Sequence, residues 1–196
     1  MERGSGKKRE WAFGYPSQKW DADKIQTYEK GKDISIMVWA AFWGAGISDL
    51  YVLERDFESK KMGYSAKFYL QILDDNLKGI YEPGLIFMQD NAPIHTAKKV
   101  KEWFIEWGVK VMEWPPYSPD LNPIEHLWFH LKNQLLKDYP DLLKMGKSEG
   151  KVRSEMGRAL RASWAKLPVG LKDELLASMS SRMEAVIEAE GWYTKY

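Results

Sequence analysis

Apolar positions along this chain change their period several times, and each change marks an element. Residues 1 to 34 are polar and broken by glycines and Pro16, with one expected strand at Glu10 to Gly14. The apolar run that follows predicts a strand from Ile34 to Phe42. A glycine turn at Gly44 to Gly46 and a second strand at Leu50 to Leu53 complete an antiparallel meander. From Ser65, a plausible N-cap, the period becomes helical: Ala66, Tyr69, Leu70, Leu73 and Leu77 share one face. Glu82, Pro83 and Gly84 close that helix, and Leu85 to Met88 reads as a strand leading to Asp90. Asn91, Ala92 and Pro93 then break the chain before a helix from about Thr96 to Trp107, stopped by Gly108. Val109 to Trp114 is the next expected strand. This strand, helix, strand order points to a mixed α/β sheet, whose ligands gather at strand ends.

Pro115, Pro116, Pro119 and Pro123 impose a stiff, extended connection to a helix that begins near Glu125. Beyond Pro140 the pattern is helical throughout. Val152, Met156, Leu160, Trp164 and Leu167 form one stripe; Leu171, Leu175, Met179, Met183 and Val186 form another after the turn Pro168, Val169, Gly170. A helical hairpin on the core accounts for both stripes, and a dimerisation surface is the alternative for the Met-rich second one.

Composition narrows the classes. The 196 residues are 44% hydrophobic and 29% charged, enough for a substantial core in one domain, and mean hydropathy is −0.50. The longest apolar stretch, Ile36 to Trp43, is far short of the roughly 20 residues that span a bilayer, so no membrane role is expected. With no cysteine, disulfides and thiolate metal sites are excluded. A net charge of +1 gives no global field for nucleic acid. Binding would rest on local clusters, Lys7, Lys8 and Arg9 or Lys98, Lys99 and Lys101, each of which also suits a solvated surface. The ten tryptophans lie in apolar runs and are read mainly as core.

The candidate chemistry is a pair of carboxylates, Asp90 after a strand and Glu125 at a helix start. Hard cations such as Mg²⁺ take oxygen ligands, and two-metal phosphoryl-transfer sites hold their ions about 3.5–4 Å apart. Each acid has a plainer reading. Asp followed by Asn, Ala and Pro is good turn chemistry, and Glu125 complements a helix dipole. His126 and His130, spaced i, i+4, could face a zinc ion together, but the His-Glu-x-x-His arrangement is absent and a packing role suits them better. Asp120 and Asn122 suit the capping of the turn and helix start. Asp74 and Asp75, late in a helix, suit solvent.

The strings QDNAPIHTAKKVKEWF and WPPYSPDLNPIEHLW resemble the catalytic core of mariner-like DDE transposases, particularly those of fungal elements. SGKKREWAF, ISIMVWAAFWGAG and GYSAKFYLQILDDNL resemble further family segments in the family's order, and GWYTKY resembles the C-terminus of fungal members. The resemblance implies a ribonuclease-H-like mixed sheet flanked by helices, at residues 1–142, with a C-terminal helical hairpin at 143–196. It implies Asp90 and Glu125 as catalytic, metal-holding acids with Mg²⁺ or Mn²⁺ as cofactor, and double-stranded DNA, both element ends and target, as partner. A nuclear location and a homodimer come with it. Asn91, His95 and Asn122 are expected to shape the site through hydrogen bonds, and the basic clusters to contact DNA.

The family's first acid has no matching position in this chain. Asp21, Asp23 and Asp33 are the nearest substitutes, and none fits the role. The first strand and the DNA-reading helix-turn-helix region are likewise expected to be missing, which makes the 196 residues a truncated or degenerate core, or the product of a gene model that starts late, inactive as written. The alternatives are a non-catalytic DNA- or protein-binding descendant and, more remotely, a ribonuclease-H-like nuclease with another substrate.

Overall fold

Between Ile36 and Leu53 alternate residues face opposite cores, which is why the run looks apolar throughout rather than alternating. Ile36, Val38, Ala40 and Phe42 contribute to one core, and Met37, Trp39 and Ala41 to the other. The computed structural model describes residues 36–59, 63–115, 118–142, 149–191 and 194. The expected strand at Glu10 to Gly14, Lys7, Lys8, Arg9 and the substitute acids Asp21, Asp23 and Asp33 lie outside them, as does Pro116.

Four short strands build this central hairpin: β1 (Val38–Trp39), β2 (Phe42–Trp43), β3 (Gly46–Ile47) and β4 (Tyr51–Val52). β2 pairs antiparallel with β3, and β1 with β4 in the register Val38 to Val52 and Trp39 to Tyr51. The single strand expected up to Phe42 is interrupted for a local reason. The Ser48 hydroxyl accepts the Ala41 N–H at 2.8 Å and donates to the Asp49 carbonyl at 2.8 Å, so a side chain replaces a ladder bond there.

On one face lies the helical segment α1 (Ala66–Ile72), which runs through a π-helical turn at Leu73–Leu77 into α2 (Lys78–Ile80). Ser65 has the extended backbone of an N-cap but makes no side-chain cap bond. Tyr69, Leu73 and Leu77 pack there with Val100, Trp103 and Phe104 of α3 (Lys98–Glu106) and with Trp39, Leu53 and Val109. Asp74 is not merely solvated: it accepts the Trp103 indole N–H at 2.8 Å and pairs with Lys78. Gly108, at φ +61°, ends α3, and Val109 N–H returns to the Phe104 carbonyl at 2.9 Å, the left-handed stop that its glycine predicted.

The opposite face is covered by α4 (Ile124–Asp138), α5 (Glu149–Trp164) and α6 (Leu171–Ala177), with α7 (Met179–Glu188) following. Leu127, Leu131 and Leu135 of α4 meet Met156, Leu160 and Trp164 of α5, Leu171 and Leu175 of α6, and Ala40 and Leu50 of the hairpin. The second expected stripe needs correction, because the helix breaks at Ser178, which ends α6 and starts α7. The break shifts the buried face, so Met183 is 50% exposed while Arg182 is 2% exposed. No helix among the described residues is long and apolar enough to cross a membrane.

A candidate metal-dependent site around Asp90

The two strands expected at Leu85 to Met88 and Val109 to Trp114 meet in one parallel bridge, Phe87 to Val111. Phe87 N–H donates to the Lys110 carbonyl at 2.7 Å and Met112 N–H to the Phe87 carbonyl at 2.8 Å. Apolar run length marks such segments, while the extent of their pairing depends on partners distant in sequence. Where backbone pairing stops, a side chain continues it: Asn91 Nδ2 donates to the Trp114 carbonyl at 2.8 Å. The peptide carrying Asp90 is thereby tied to the end of the segment that leads toward Glu125.

Asp90 begins a tight loop. Its Oδ1 accepts the Ala92 N–H at 3.0 Å, the turn bond that Asp before Asn-Ala-Pro suggests, and lies 2.6 Å from His95 Nδ1. The hydrogen bond from His95, opposed by partial burial and aided by the Ala92 amide, holds the Asp90 carboxyl below the usual carboxylate range. An ionised carboxylate only accepts, so the proton of this pair sits on Nδ1. Both bonds fall on Oδ1, which directs the coordinating capacity of the half-exposed carboxylate to Oδ2.

His95 is itself held. Its N–H donates to the Ala92 carbonyl at 2.8 Å, and its ring packs on Tyr69 with centroids 4.5 Å apart. The Tyr69 hydroxyl, 2.5 Å from Gln89 Oε1, donates to it, and burial pushes this phenol well above its ordinary range, keeping it a donor. Tyr69 and Gln89 were not singled out from sequence. The available signal was a tyrosine rather than a phenylalanine in a core stripe, since a buried hydroxyl requires a partner.

Glu125 lies in the first turn of α4, partly buried, behind a 3₁₀ turn at Pro119–Leu121 and the buried Asn122 and Pro123. Its N–H donates to the Asn122 carbonyl at 3.2 Å, so Asn122 serves through its backbone, and the helix start carries no side-chain cap bond. His126 contacts Arg182: Nη2 is 3.2 Å from Nδ1 and 3.5 Å from Nε2. Burial, then the Arg182 charge and His130, hold the His126 imidazole below its ordinary range. A guanidinium at that distance repels a dication, which argues against the zinc arrangement. Lys98 and Lys99 are exposed at the start of α3, Lys98 with Glu102 at 3.6 Å.

Asp90 therefore suits a hard divalent cation as one oxygen ligand, by charge, exposure and the placement of its other bonds. Among the described residues no group of three or more His, Cys, Asp or Glu side chains stands together as a metal site.

Two segments bridged in parallel thus lead to a fixed, ionised aspartate, beside a hairpin covered by helices on both faces. The family model for the DDE superfamily endonuclease matches residues 8–144, and the chain belongs to that superfamily. Its relatives include transposases of the Tc1/mariner type. The Tcb2 transposable-element transposase of Caenorhabditis briggsae is 32% identical over 178 residues, covering 88% of this chain and 58% of that protein. The Tc1 transposase of Caenorhabditis elegans is 32% identical over 166 residues, covering 83% and 55%. The chain spans just over half the length of these relatives. Among solved structures, the catalytic domain of Mos1 mariner transposase matches with a TM-score of 0.59 at 21% identity, covering 82% of this chain and 76% of that one. The same domain with raltegravir and Mn matches at 0.58 and 20% identity, covering 82% and 78%. The fold is thus the expected ribonuclease-H-like one.

Proposed function

We propose that this chain is the catalytic core of a cut-and-paste transposase, with Asp90 and Glu125 as two of its three metal-holding acids. The observation that carries the reading is the ionised Asp90, anchored through Oδ1 by His95 and Ala92 at the end of a paired segment. Mg²⁺ or Mn²⁺, when bound, would supply charge neutralisation on the phosphate and a lowered pKa for the attacking water. The chain's own residues contribute position. His95 and Ala92 keep Oδ1 engaged and Oδ2 directed outward, Asn91 fixes the loop to Trp114, and Lys98 and Lys99 offer charge to the DNA backbone.

In the proposed reaction on double-stranded DNA, a water oxygen bonds to phosphorus at the element end while the bond to the 3′-oxygen breaks, and that oxygen takes up a proton. The freed 3′-hydroxyl then attacks a target phosphodiester, forming one P–O bond as another breaks. Nuclear DNA is the substrate in this reading, and a homodimer joining two ends is part of it.

We further propose that these 196 residues alone do not cut DNA, because no position matches the family's first acid. Two measurements test the reading. Mn²⁺ binding by calorimetry should occur and be lost in Asp90→Ala; equal binding by the variant would remove the assigned site. In a Mn²⁺-dependent nicking assay on element-end DNA, Asp90-dependent cleavage would overturn the inactivity. The missing match for the family's first acid leaves, as the second reading, a non-catalytic binding module. That module would bind DNA or a protein equally well with Asp90→Ala and without metal.

A further inference from the structure

Arg182 is the largest fully buried side chain among the described residues, 2% exposed on a helix whose other polar residues face solvent. A guanidinium is costly to remove from water, so its burial calls for specific partners. Nε donates to Ser178 Oγ at 2.9 Å, and Ser178 Oγ donates to the Leu175 carbonyl at 2.7 Å, which fixes the arginine to the junction of α6 and α7. Its far end, Nη2, reaches the His126 ring at 3.2 Å. α7 also packs against the 3₁₀ turn at Pro119–Leu121 that precedes α4.

From these contacts we infer that Arg182 is a positioning residue, gripping the first turn of α4 through His126 and so fixing where the neighbouring Glu125 carboxylate stands. The inference rests on the proposed role of Glu125. It makes the last helices part of the site's framework rather than a cover for the core. Glu125 is the second residue of α4, two after the buried Pro123, and backbone bonds hold the turn from within, Glu125 N–H to the Asn122 carbonyl and His126 N–H to the Pro123 carbonyl at 3.1 Å. An external brace at this point sets an angle that the helix start does not set through a side-chain cap.

Hydrogen exchange and Mn²⁺ calorimetry on the full chain test this with Arg182→Met, which keeps an apolar stem, and His126→Ala, which removes the acceptor from the other side while keeping the arginine. In either folded variant the Glu125 and His126 amides are expected to exchange at least about tenfold faster, with Leu131 and Leu135 unchanged, and Mn²⁺ affinity to fall about fivefold. Unchanged exchange at Glu125 and His126 in a folded variant overturns the inference, as does unchanged affinity in a chain that binds Mn²⁺. A parent chain that binds no Mn²⁺ overturns the proposed metal site instead, and the exchange data then decide the bracing by themselves.

Discussion

Asp90 and His95 stand 2.6 Å apart through Oδ1 and Nδ1, a carboxylate and an imidazole locked together five positions apart in one loop. The pairing fixes which carboxylate oxygen is spent within the protein. Replacing His95 with Ala should therefore leave the fold intact and cost about tenfold in Mn²⁺ affinity, the lower end of what partners of metal ligands contribute. Calorimetry would read the loss; an affinity equal to the parent's would mean that Oδ1 needs no anchor.

Tyr69→Phe keeps the ring beneath His95 and removes only the hydroxyl that donates to Gln89. It should cost about 1–2 kcal/mol, because Gln89 loses a short bond in a partly buried place. Urea unfolding should show a lower midpoint with an unchanged slope. His95 ring resonances should also shift, and their constancy would show that the hydroxyl does not support the loop.

Asp74→Ala should destabilise the chain by about 1–2 kcal/mol, since the buried Trp103 indole N–H is left without its acceptor. Lys78 loses its carboxylate partner while remaining 3.4 Å over the Trp107 ring. Thermal unfolding together with Trp fluorescence would check this. A variant as stable as the parent would mean that the indole finds water.

Asp138 and Lys166 join the end of α4 to the turn after α5 at 2.8 Å. Lys166, then Gln134, holds the Asp138 carboxyl below its ordinary range, and Asp138 holds the Lys166 amine above its own. The depressed acid adds stability above its unfolded value of about 3.9, lost as pH falls through the lower folded value. The raised amine adds stability below about 10.4, lost as pH rises through the higher folded value. Lys166→Met should thus weaken the fold most between about pH 4 and 10 and progressively less beyond either end. Urea midpoints at pH 2.5, 7 and 11 would reveal it, with a smaller difference in high salt.

Much of the framework was readable because local chemistry decides it. The run from Ile36, the helix ended by Gly108 and the turn after Asp90 each follow from side chains close in sequence, and the motif strings carried the family. What escaped reading depends on distant partners. Strand lengths shrank where the Ser48 hydroxyl took a ladder bond, and Tyr69 and Gln89 meet only once α1 packs against the Asp90 segment. Arg182 was hidden by assuming one helical period from Leu171 to Val186. The break at Ser178 rotates the face, burying an arginine and exposing a methionine.

The hairpin from Ile36 to Leu53 is wedged between two separate oils, each wetting one side of its pleat. Deleting the Met37 or Val38 codon would swap those sides for the strand residues beyond it, thrusting the Trp39 indole among the leucines of α4 and α5 while Ala40 faced Tyr69. Point substitutions in this stretch should be survivable; changes in its length should not.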